Sequence, residues 1–203
     1  MYKMIKRLFD VISALIGLIL VSPFFLIVPI LIKLDSKGPV FFKQWRMGKE
    51  RKPFRIYKFR TMVQDADKMG VQITARNDPR ITKIGKFLRR YAIDELPTLL
   101  NVLKGEMSIV GPRPELPKYL PYYAGKYQDI LLVRPGLTDL GTIAFRDEVK
   151  YLDSQNHEEI YGKGILPQKL ELYLRYVHDR SFLFDLKIIF KTLRLILKQR
   201  KIG

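Results

Sequence analysis

The sequence predicts an α+β, mostly helical fold: a small membrane-associated domain with an N-terminal re-entrant helical hairpin, a short β-hairpin and amphipathic helices. Three observations support this prediction. The apolar stretch from residue 11 to residue 32 has no charged side chain and is interrupted by Ser22-Pro23. Two aromatic-rich segments then alternate in polarity, as paired strands do, and later segments repeat apolar residues at helical spacing. We expect residues 1–36 to form the membrane element and residues 37–203 to form one cytoplasmic domain.

The composition narrows the kinds of partner that the protein can have. Its 203 residues suit one domain plus a membrane element, and 47% of them are hydrophobic, enough for a packed core. The formal net charge of +17 attracts polyanions such as nucleic acid, anionic lipid headgroups or phosphorylated substrates. The chain has no cysteine, which excludes both a disulfide framework and a metal site with cysteine ligands.

The apolar stretch near the N-terminus is long enough to cross a bilayer, since about 20 apolar residues suffice. Two interpretations are open: a single spanning helix, or a re-entrant hairpin that enters one leaflet and returns. Pro23 breaks the helix near its middle because it lacks a backbone N–H, and Ser22 can bond a carbonyl freed by the break. The flanking basic residues are Lys3, Lys6 and Arg7 on one side and Lys33 and Lys37 on the other. They favour a hairpin with both ends in the cytoplasm, because positive charge resists translocation.

The middle of the chain predicts a β-hairpin followed by short helices. Residues 40–46 and 54–60 read as its two strands, and a loop rich in turn residues joins them. Thr82 can cap the first helix, whose apolar face carries Ile84, Phe87, Leu88 and Tyr91. The second helix opens with Asp94-Glu95-Leu96-Pro97 and ends at Gly105.

The C-terminal segment predicts a basic amphipathic helix. One face carries Leu183, Leu186, Ile189, Phe190, Leu193 and Leu197, and the other carries Lys187, Lys191, Arg194 and Lys198. Such a helix can lie on an anionic membrane surface, or its apolar face can pack on the domain core, and the sequence leaves both open. Before it, the chain between residues 112 and 135 is rich in proline and tyrosine, which indicates irregular structure with short helices.

Asp94 and Glu95 are the strongest candidates for chemistry, because this adjacent pair stands at a predicted helix start beside basic residues. Two carboxylates can hold Mg²⁺, a hard cation that takes oxygen ligands and bridges phosphates. A carboxylate can also attack phosphorus as a nucleophile. The structural alternative is that Asp94 caps a helix and that both acids merely suit its first turn. His157 and His178 show no metal-ligand spacing.

Basic residues near this pair favour the catalytic interpretation. The candidate phosphate-binding residues are Lys58, Arg60, Arg89, Arg113 and Arg134. Arg113 lies between two prolines and Arg134 precedes one, so each sits on a stiff segment that keeps its guanidinium aimed at an oxyanion with little entropy lost. Phosphoryl transfer needs mainly positioning and charge neutralisation, which such residues supply.

Several motifs occur in a fixed order along the chain. They are Gly38-Pro39-Val40-Phe41-Phe42-Lys43-Gln44, Tyr57-Lys58-Phe59-Arg60-Thr61-Met62, Asp94-Glu95-Leu96-Pro97, Gly111-Pro112-Arg113-Pro114-Glu115 and Arg134-Pro135-Gly136-Leu137-Thr138. Together with the basic N-terminus and the Ser22-Pro23 break, this series resembles the bacterial sugar transferases, the monotopic phosphoglycosyl transferases that initiate assembly of surface glycans. The resemblance extends from about Lys3 to Leu195.

The resemblance implies a two-step transfer at the cytoplasmic face of the bacterial inner membrane. Asp94 would attack the sugar-linked phosphorus of a UDP-sugar and release UMP, and polyprenyl (undecaprenyl) phosphate would then take the sugar phosphate from the enzyme. Glu95 would help Asp94 to hold Mg²⁺. The residues that would bind phosphates are Lys58, Arg89, Arg113 and Arg134. The implied partners are the UDP-sugar, the lipid phosphate and inner-membrane phospholipids; nucleic acid is not expected, and a homo-oligomer is compatible with the resemblance.

One segment departs from the family. Many members continue after the Arg-Pro-Gly-Leu-Thr motif with Gly-Trp-Ala-Gln-Val-Asn-Gly-Arg, where this chain has Asp139-Leu140-Gly141-Thr142-Ile143-Ala144-Phe145-Arg146. Arg146 keeps its place, and because this segment is expected to shape the sugar region, the donor sugar stays open. Two rival functions compete with the transferase. One is a non-enzymatic, membrane-anchored basic module that binds anionic lipid or nucleic acid, and the other is a membrane phosphatase or nucleotide-sugar hydrolase.

Overall fold

The computed structural model describes residues 2–69, 78–145 and 157–199, and most of them are helical. The α-helices are α1 (Tyr2–Leu20), α2 (Ser22–Asp35), α3 (Lys83–Arg90), α4 (Leu99–Lys104), α5 (Leu140–Ala144), α6 (His157–Glu159), α7 (Leu166–Asp179) and α8 (Phe182–Gln199). The strands are β1 (Phe41–Met47), β2 (Pro53–Phe59), β3 (Ser108–Val110) and β4 (Gly136–Thr138). Short 3₁₀ helices span Lys49–Arg51, Ala66–Lys68, Ile93–Thr98, Pro117–Tyr123 and Gly125–Leu132, and a π-helical segment spans Ile160–Ile165. The predicted mostly helical α+β chain is confirmed.

The first two helices form a pair bent by 58° around Val21. Ser22 Oγ donates a hydrogen bond to the carbonyl of Ile19 at 2.8 Å, and Pro23 lies in the first turn of α2. The break therefore falls where the sequence predicts it, and by the predicted mechanism. Within the described ranges neither helix alone is long and apolar enough to cross a membrane, whereas the bent pair together has the length and composition to do so.

One narrow side of the bent pair packs on the rest of the protein. Its other side is exposed, and we call it the bare side. Ala14 of α1 shares a core cluster with Leu99 of α4, and Val28 of α2 packs with Phe59 of β2. The exposed apolar side chains include Ile12, Leu15, Ile16, Ile19, Leu20, Leu26, Ile27 and Ile30. Exposed apolar surface of this extent is typical of sites that contact another molecule or lipid.

The charged residues at the start of α1 also hold the fold together. Asp10 is buried, and its carboxylate accepts a hydrogen bond from Ser108 Oγ at 3.0 Å. Lys6 forms a 2.8 Å salt bridge with the buried Asp185 of α8. Arg7 donates to two carbonyls in the last turn of α4, where a helix leaves its carbonyls without partners. These basic residues were predicted only as topology signals, so their packing role is an addition from the structure.

β1 and β2 pair antiparallel, with Phe41 opposite Phe59 and Met47 opposite Pro53. The predicted hairpin is confirmed, with strand bounds one residue away from those expected. The two faces of this hairpin differ. Phe54 and Ile56 of β2 are buried in the core cluster beneath α1 and α4, while Trp45 of β1 is 51% exposed.

β3 and β4 form a two-stranded parallel sheet that the sequence did not predict. Ser108 lies opposite Gly136, and Val110 lies opposite Thr138. The backbones approach closely just beyond β3: a Cβ on Gly136 would lie 2.1 Å from the backbone nitrogen of Gly111. The two proline-containing motifs, interpreted above as stiff supports for arginines, are therefore also two backbone segments that pack directly on each other.

The C-terminal helix α8 packs on the core through one residue of its predicted apolar face, Ile189, and through residues outside that face. Asp185 and Ile188 are buried, and Thr192 Oγ1 lies 2.6 Å from Thr138 Oγ1 of β4. On the predicted apolar face, Leu183, Leu186, Phe190 and Leu193 are exposed by 70%, 39%, 68% and 54%. The alternative in which this face packs on the domain core is wrong for these four side chains.

Candidate active site

Asp94 and Glu95 lie in the 3₁₀ helix between α3 and α4. The residue before this helix is Ala92, whose left-handed backbone has φ 54°, and no side chain caps the helix. The part of the structural alternative in which Asp94 caps the helix is therefore wrong, whereas both acids do lie in the first turn of the helix, as that alternative expected. The preceding helix does have its predicted cap, since Thr82 Oγ1 accepts a hydrogen bond from Gly85 N at 3.0 Å.

Strand β2 is fixed against this 3₁₀ helix by hydrogen bonds to the backbone of Tyr57. Thr98 Oγ1 donates to the carbonyl of Tyr57 at 3.0 Å, and the amide nitrogen of Tyr57 donates to Asn101 Oδ1 at 3.0 Å. Thr98 and Asn101 are both buried, so water does not compete for these bonds. The next residue of the strand, Lys58, is thereby held beside Glu95.

Glu95 is fixed between two positively charged side chains. Its Oε1 accepts a hydrogen bond from Lys58 Nζ at 2.5 Å and one from Arg113 Nη2 at 2.7 Å, with 22% of the Glu95 side chain exposed. Burial raises the pKa of Glu95, but Arg113 and Lys58 more than offset this and hold it below its ordinary value. Burial lowers the pKa of Lys58, whereas Glu95 raises that of Arg113. Glu95 is thus a charged anchor that orients two cations.

Asp94 has different surroundings from its neighbour. Its side chain is partly exposed, and its carboxylate accepts no hydrogen bond from the residues that the structure describes. Burial raises its pKa above the ordinary value, and the nearby charges of Lys58, Arg89 and Arg113 oppose that rise. Arg89 is held in place by Thr61, whose Oγ1 accepts a hydrogen bond from Arg89 Nε at 2.8 Å. A carboxylate with free lone pairs and cations nearby has what a nucleophile toward phosphorus needs.

Arg113 owes its position to the parallel strand pair. Gly136 N donates to the carbonyl of Pro112 at 2.9 Å, and Gly111 N donates to the carbonyl of Thr138 at 3.1 Å. These bonds fix the two residues directly before Arg113, and Arg46 Nη1 donates to the carbonyl of Pro114 directly after it. The strand pairing, which the sequence did not predict, fixes the direction in which the Arg113 side chain leaves the backbone.

Two predicted phosphate-binding residues are engaged elsewhere. Arg60 is 6% exposed, and its guanidinium donates to the carbonyls of Ser36 and Lys37 and to Ser36 Oγ at 2.7–2.8 Å. Arg134 Nε donates at 2.7 Å to the carbonyl of Gly105, the residue that ends α4. Both guanidinium groups therefore hold backbone segments in place, and the structure does not bring either of them to Glu95.

Arg46 is a site residue that the sequence analysis missed. It lines one cleft with Lys58, Glu95 and Arg113. Its Nη1 donates to the carbonyl of Pro114 at 3.2 Å, and burial lowers its pKa. Its only sequence signal was its place in β1 on the face opposite Trp45, and such alternation does not distinguish a site residue from a solvated one.

The carboxylates of Asp94 and Glu95 could hold Mg²⁺ only if other molecules supply most of the ligands of the ion. The described part of the chain contains no group of three or more histidine or acidic side chains that could hold a metal ion. Glu95 Oε1 already accepts from two cations, which leaves its second oxygen and the carboxylate of Asp94. Mg²⁺ commonly takes one or two carboxylates and completes its shell with substrate phosphates and water. The pair therefore suits an ion that binds together with a diphosphate. Arg146, predicted for the sugar region, lies outside the described residues.

A free carboxylate beside a fixed one, bordered by cations held on rigid backbone, is a site of the kind with which enzymes transfer phosphoryl groups. The chain belongs to the bacterial sugar transferase family, whose model matches residues 1–199. The resemblance noted in the sequence is therefore confirmed.

Three relatives illustrate the range of the family. UDP-N-acetylgalactosamine-undecaprenyl-phosphate N-acetylgalactosaminephosphotransferase of Aeromonas hydrophila is 38% identical, over 97% of this chain and 44% of the relative. UDP-glucose:undecaprenyl-phosphate glucose-1-phosphate transferase of Escherichia coli is 39% identical, over 94% of this chain and 39% of the relative. The exopolysaccharide production protein PSS of Rhizobium leguminosarum is 41% identical, over 93% of this chain and 92% of the relative. The chain thus spans less than half the length of the first two relatives and most of the third.

Proposed function

We propose that this protein is a phosphoglycosyl transferase that moves a sugar 1-phosphate from a UDP-sugar to polyprenyl phosphate. The observation that carries the proposal is the contrast between two adjacent acids. Glu95 is fixed by Lys58 and Arg113, while Asp94 accepts no hydrogen bond from the described residues. The names of the first two relatives specify undecaprenyl phosphate as acceptor and two different UDP-sugars as donors. They support the class of donor and acceptor for this chain, and not an individual sugar.

The reaction has two displacements at phosphorus. In the first, a carboxylate oxygen of Asp94 attacks the sugar-linked phosphorus of the UDP-sugar, the bond from that phosphorus to the bridging oxygen breaks, and UMP leaves with the electron pair. In the second, an oxygen of polyprenyl phosphate attacks the same phosphorus, and the bond to Asp94 breaks. The products are UMP and a polyprenyl-diphosphate sugar, and the carboxylate of Asp94 is regenerated.

The surrounding side chains act by position and charge. Lys58 and Arg113, oriented by Glu95, stand where they can neutralise negative charge on the transferring phosphoryl group. Arg89, fixed by Thr61, adds positive charge on the side of Asp94. Asp94 and the second oxygen of Glu95 would hold Mg²⁺, which supplies Lewis-acid neutralisation of the diphosphate when bound.

We place this chemistry at the cytoplasmic face of a bacterial inner membrane. The support is the bare apolar side of the α1–α2 pair and the exposed apolar face of α8. These two surfaces lie close together at the start of α8, because the ring of Phe182 packs edge-on against that of Phe9 of α1, with ring centres 5.3 Å apart. A re-entrant pair leaves the site at headgroup level, where a soluble UDP-sugar and a lipid phosphate can both reach it.

The test is incubation of the full chain with undecaprenyl phosphate, Mg²⁺ and a panel of UDP-sugars, with both UMP and lipid-linked sugar measured. We expect one or more donors to give UMP and lipid product in equal amounts. UMP in large molar excess over the enzyme, without lipid product, would establish the hydrolase instead. Binding to anionic vesicles with no UMP from any donor would leave only the non-enzymatic module.

A further inference from the structure

The β-hairpin has an outer face that the proposed reaction does not use. Phe41, Lys43 and Trp45 of β1 lie on one side of the hairpin, and Arg55 and Tyr57 of β2 lie on the same side, because Lys43 pairs with Tyr57 and Trp45 with Arg55. Trp45 is 51% exposed and Phe41 is 41% exposed. Lys58, which binds Glu95, follows Tyr57 and so points to the opposite face.

Positive charge and aromatic rings alternate across this face. The Arg55 guanidinium lies 4.8 Å from the centre of the Trp45 ring, and Lys43 Nζ lies 5.6 Å from the centre of the Tyr57 ring. Lys104 at the end of α4 adds a third cation, 4.5 Å from the Tyr57 ring centre, and donates to the Tyr57 hydroxyl at 2.8 Å. We call Phe41, Lys43, Trp45, Arg55, Tyr57 and Lys104 the aromatic–basic face.

Among the described residues, the cations of this face have no carboxylate at salt-bridge distance, although the charge of Glu106 acts on Lys104. Across the described ranges, Lys43, Arg55 and Lys104 form no salt bridge with a carboxylate. Elsewhere on the surface, exposed lysines such as Lys126 and Lys163 are paired with glutamates. The aromatic–basic face therefore offers cations without salt-bridge partners beside exposed rings, a combination that suits an anionic partner.

The Phe41 end of this face also lies close to helix α2. Phe41 stacks on Phe59 with ring centres 5.5 Å apart, and Phe59 lies 5.3 Å from Phe25 of α2. Phe59 is only 1% exposed, so this contact passes through the core, but it places the exposed Phe41 one ring away from the residue that packs on α2. A bilayer around the helix pair would therefore pass close to the Phe41 end of the hairpin.

We propose that the aromatic–basic face binds the headgroups of anionic phospholipids and forms a second membrane contact beside the α1–α2 pair. The proposal rests on the membrane association stated under the proposed function. Tryptophan and tyrosine favour the headgroup region, where an apolar ring and a polar edge are both satisfied. Lys43, Arg55 and Lys104 gain from the negative surface potential of anionic lipid. Because the hairpin is packed against both helices, this contact sets the tilt of the whole domain on the membrane, and with it the height of Lys58 above the membrane.

The fluorescence of the protein reports on this face directly, because Trp45 is its only tryptophan. The full chain is reconstituted into phosphatidylcholine vesicles with and without phosphatidylglycerol, each with or without a headgroup nitroxide lipid. With phosphatidylglycerol we expect a blue shift of the emission, a loss of emission caused by the headgroup nitroxide, and protection from aqueous acrylamide. The double variant Lys43→Glu/Arg55→Glu should lose the nitroxide quenching, normalised to its own emission in unlabelled vesicles. The matched variant Lys163→Glu/Arg175→Glu, which reverses two exposed charges away from the hairpin, should keep it.

A second probe separates this proposal from membrane association itself. In a Trp45→Phe background, Leu26→Trp places the only tryptophan on the bare side of α2, where Leu26 is 74% exposed. Quenching of this probe by an acyl-chain nitroxide, without headgroup quenching of Trp45 in the native sequence, would overturn the aromatic–basic contact and leave membrane association standing. Quenching of neither probe would overturn both. Protection of Trp45 from acrylamide that depends on protein concentration, without nitroxide quenching, would assign the face to a second copy of the chain.

Discussion

Asp94 and Glu95 are neighbours in the chain, yet only Glu95 is hydrogen-bonded by other side chains among the described residues. Glu95 Oε1 accepts hydrogen bonds from Lys58 and Arg113, while the carboxylate of Asp94 accepts none from the described residues. One acid thus has its charge committed to holding the site together, and the other is left available for substrate. This division of roles underlies the predictions for the site.

Removal of Arg113 should reduce activity severely. Because the transferring phosphoryl group would lose a fixed cation, we expect Arg113→Ala to lower kcat/KM about 100- to 1,000-fold. Arg113→Lys should recover little, since an ammonium group lacks the planar fork that can bond Glu95 and a phosphate together. Arg175→Ala removes an exposed arginine and is the matched control. Equal kcat/KM for the Ala, Lys and native forms would show that Arg113 is only a surface charge.

The crossing of Gly111 and Gly136 should not tolerate a side chain. In Gly136→Ala the new Cβ would meet the Gly111 backbone at 2.1–2.7 Å, and backbone cannot move aside as a flexible side chain can. We expect a loss of at least about 1–3 kcal/mol in the free energy of unfolding, together with lower activity through displacement of Arg113. Gly164→Ala is the control, because its Cβ would have no atom within 4 Å. Thermal unfolding in detergent compares the two variants with the native chain. Equal midpoints for Gly136→Ala and the native chain would refute the close approach of the two backbones.

Arg60 should prove to be a structural residue. Its buried guanidinium bonds the backbone of Ser36 and Lys37, so Arg60→Gln should destabilise the protein by about 1–3 kcal/mol. The KM for the UDP-sugar should stay near the native value in the folded fraction. An unchanged unfolding midpoint with a strongly raised KM would return Arg60 to the phosphate-binding role that the sequence suggested.

Both ends of the bent helix pair should lie in the cytoplasm. Lys3 and Lys37 are exposed beyond the two ends of the apolar stretch, and the chain has no native cysteine. We expect Lys3→Cys and Lys37→Cys to be shielded from a membrane-impermeant thiol reagent in intact cells and to react once the inner membrane is opened. Reaction of Lys3→Cys in intact cells, with Lys37→Cys still shielded, would indicate a spanning helix.

Features governed by local rules were predictable from the sequence. The break at Ser22-Pro23 follows from the missing N–H of proline, and the Thr82 cap from a hydroxyl placed before a helix. The β-hairpin follows from strand-like alternation on either side of a short loop. In each case the residues that interact are close in sequence, so the pattern itself contains the interaction.

Features that depend on distant contacts were not predictable. Strands β3 and β4 have three residues each and pair across an intervening segment of 25 residues, from 111 to 135, so neither shows a periodic pattern. Arg113 and Arg134 both adjoin proline, yet Arg113 bonds Glu95 whereas Arg134 bonds the carbonyl of Gly105 at the end of α4. A sequence indicates the charge and reach of an arginine, whereas its direction depends on which backbone segments pack around it.

The most direct test of the account is a search for the covalent intermediate on Asp94. The full chain is incubated with its UDP-sugar and Mg²⁺ but without polyprenyl phosphate, quenched, digested and analysed by mass spectrometry. We expect release of UMP and a phosphosugar mass on the peptide that contains Asp94. Later addition of polyprenyl phosphate should remove this phosphosugar. Asp94→Asn should show neither, whereas Asp129→Asn, a change at an exposed acid, should behave as the native chain. Formation of lipid-linked sugar by Asp94→Asn at a near-native rate would contradict the account.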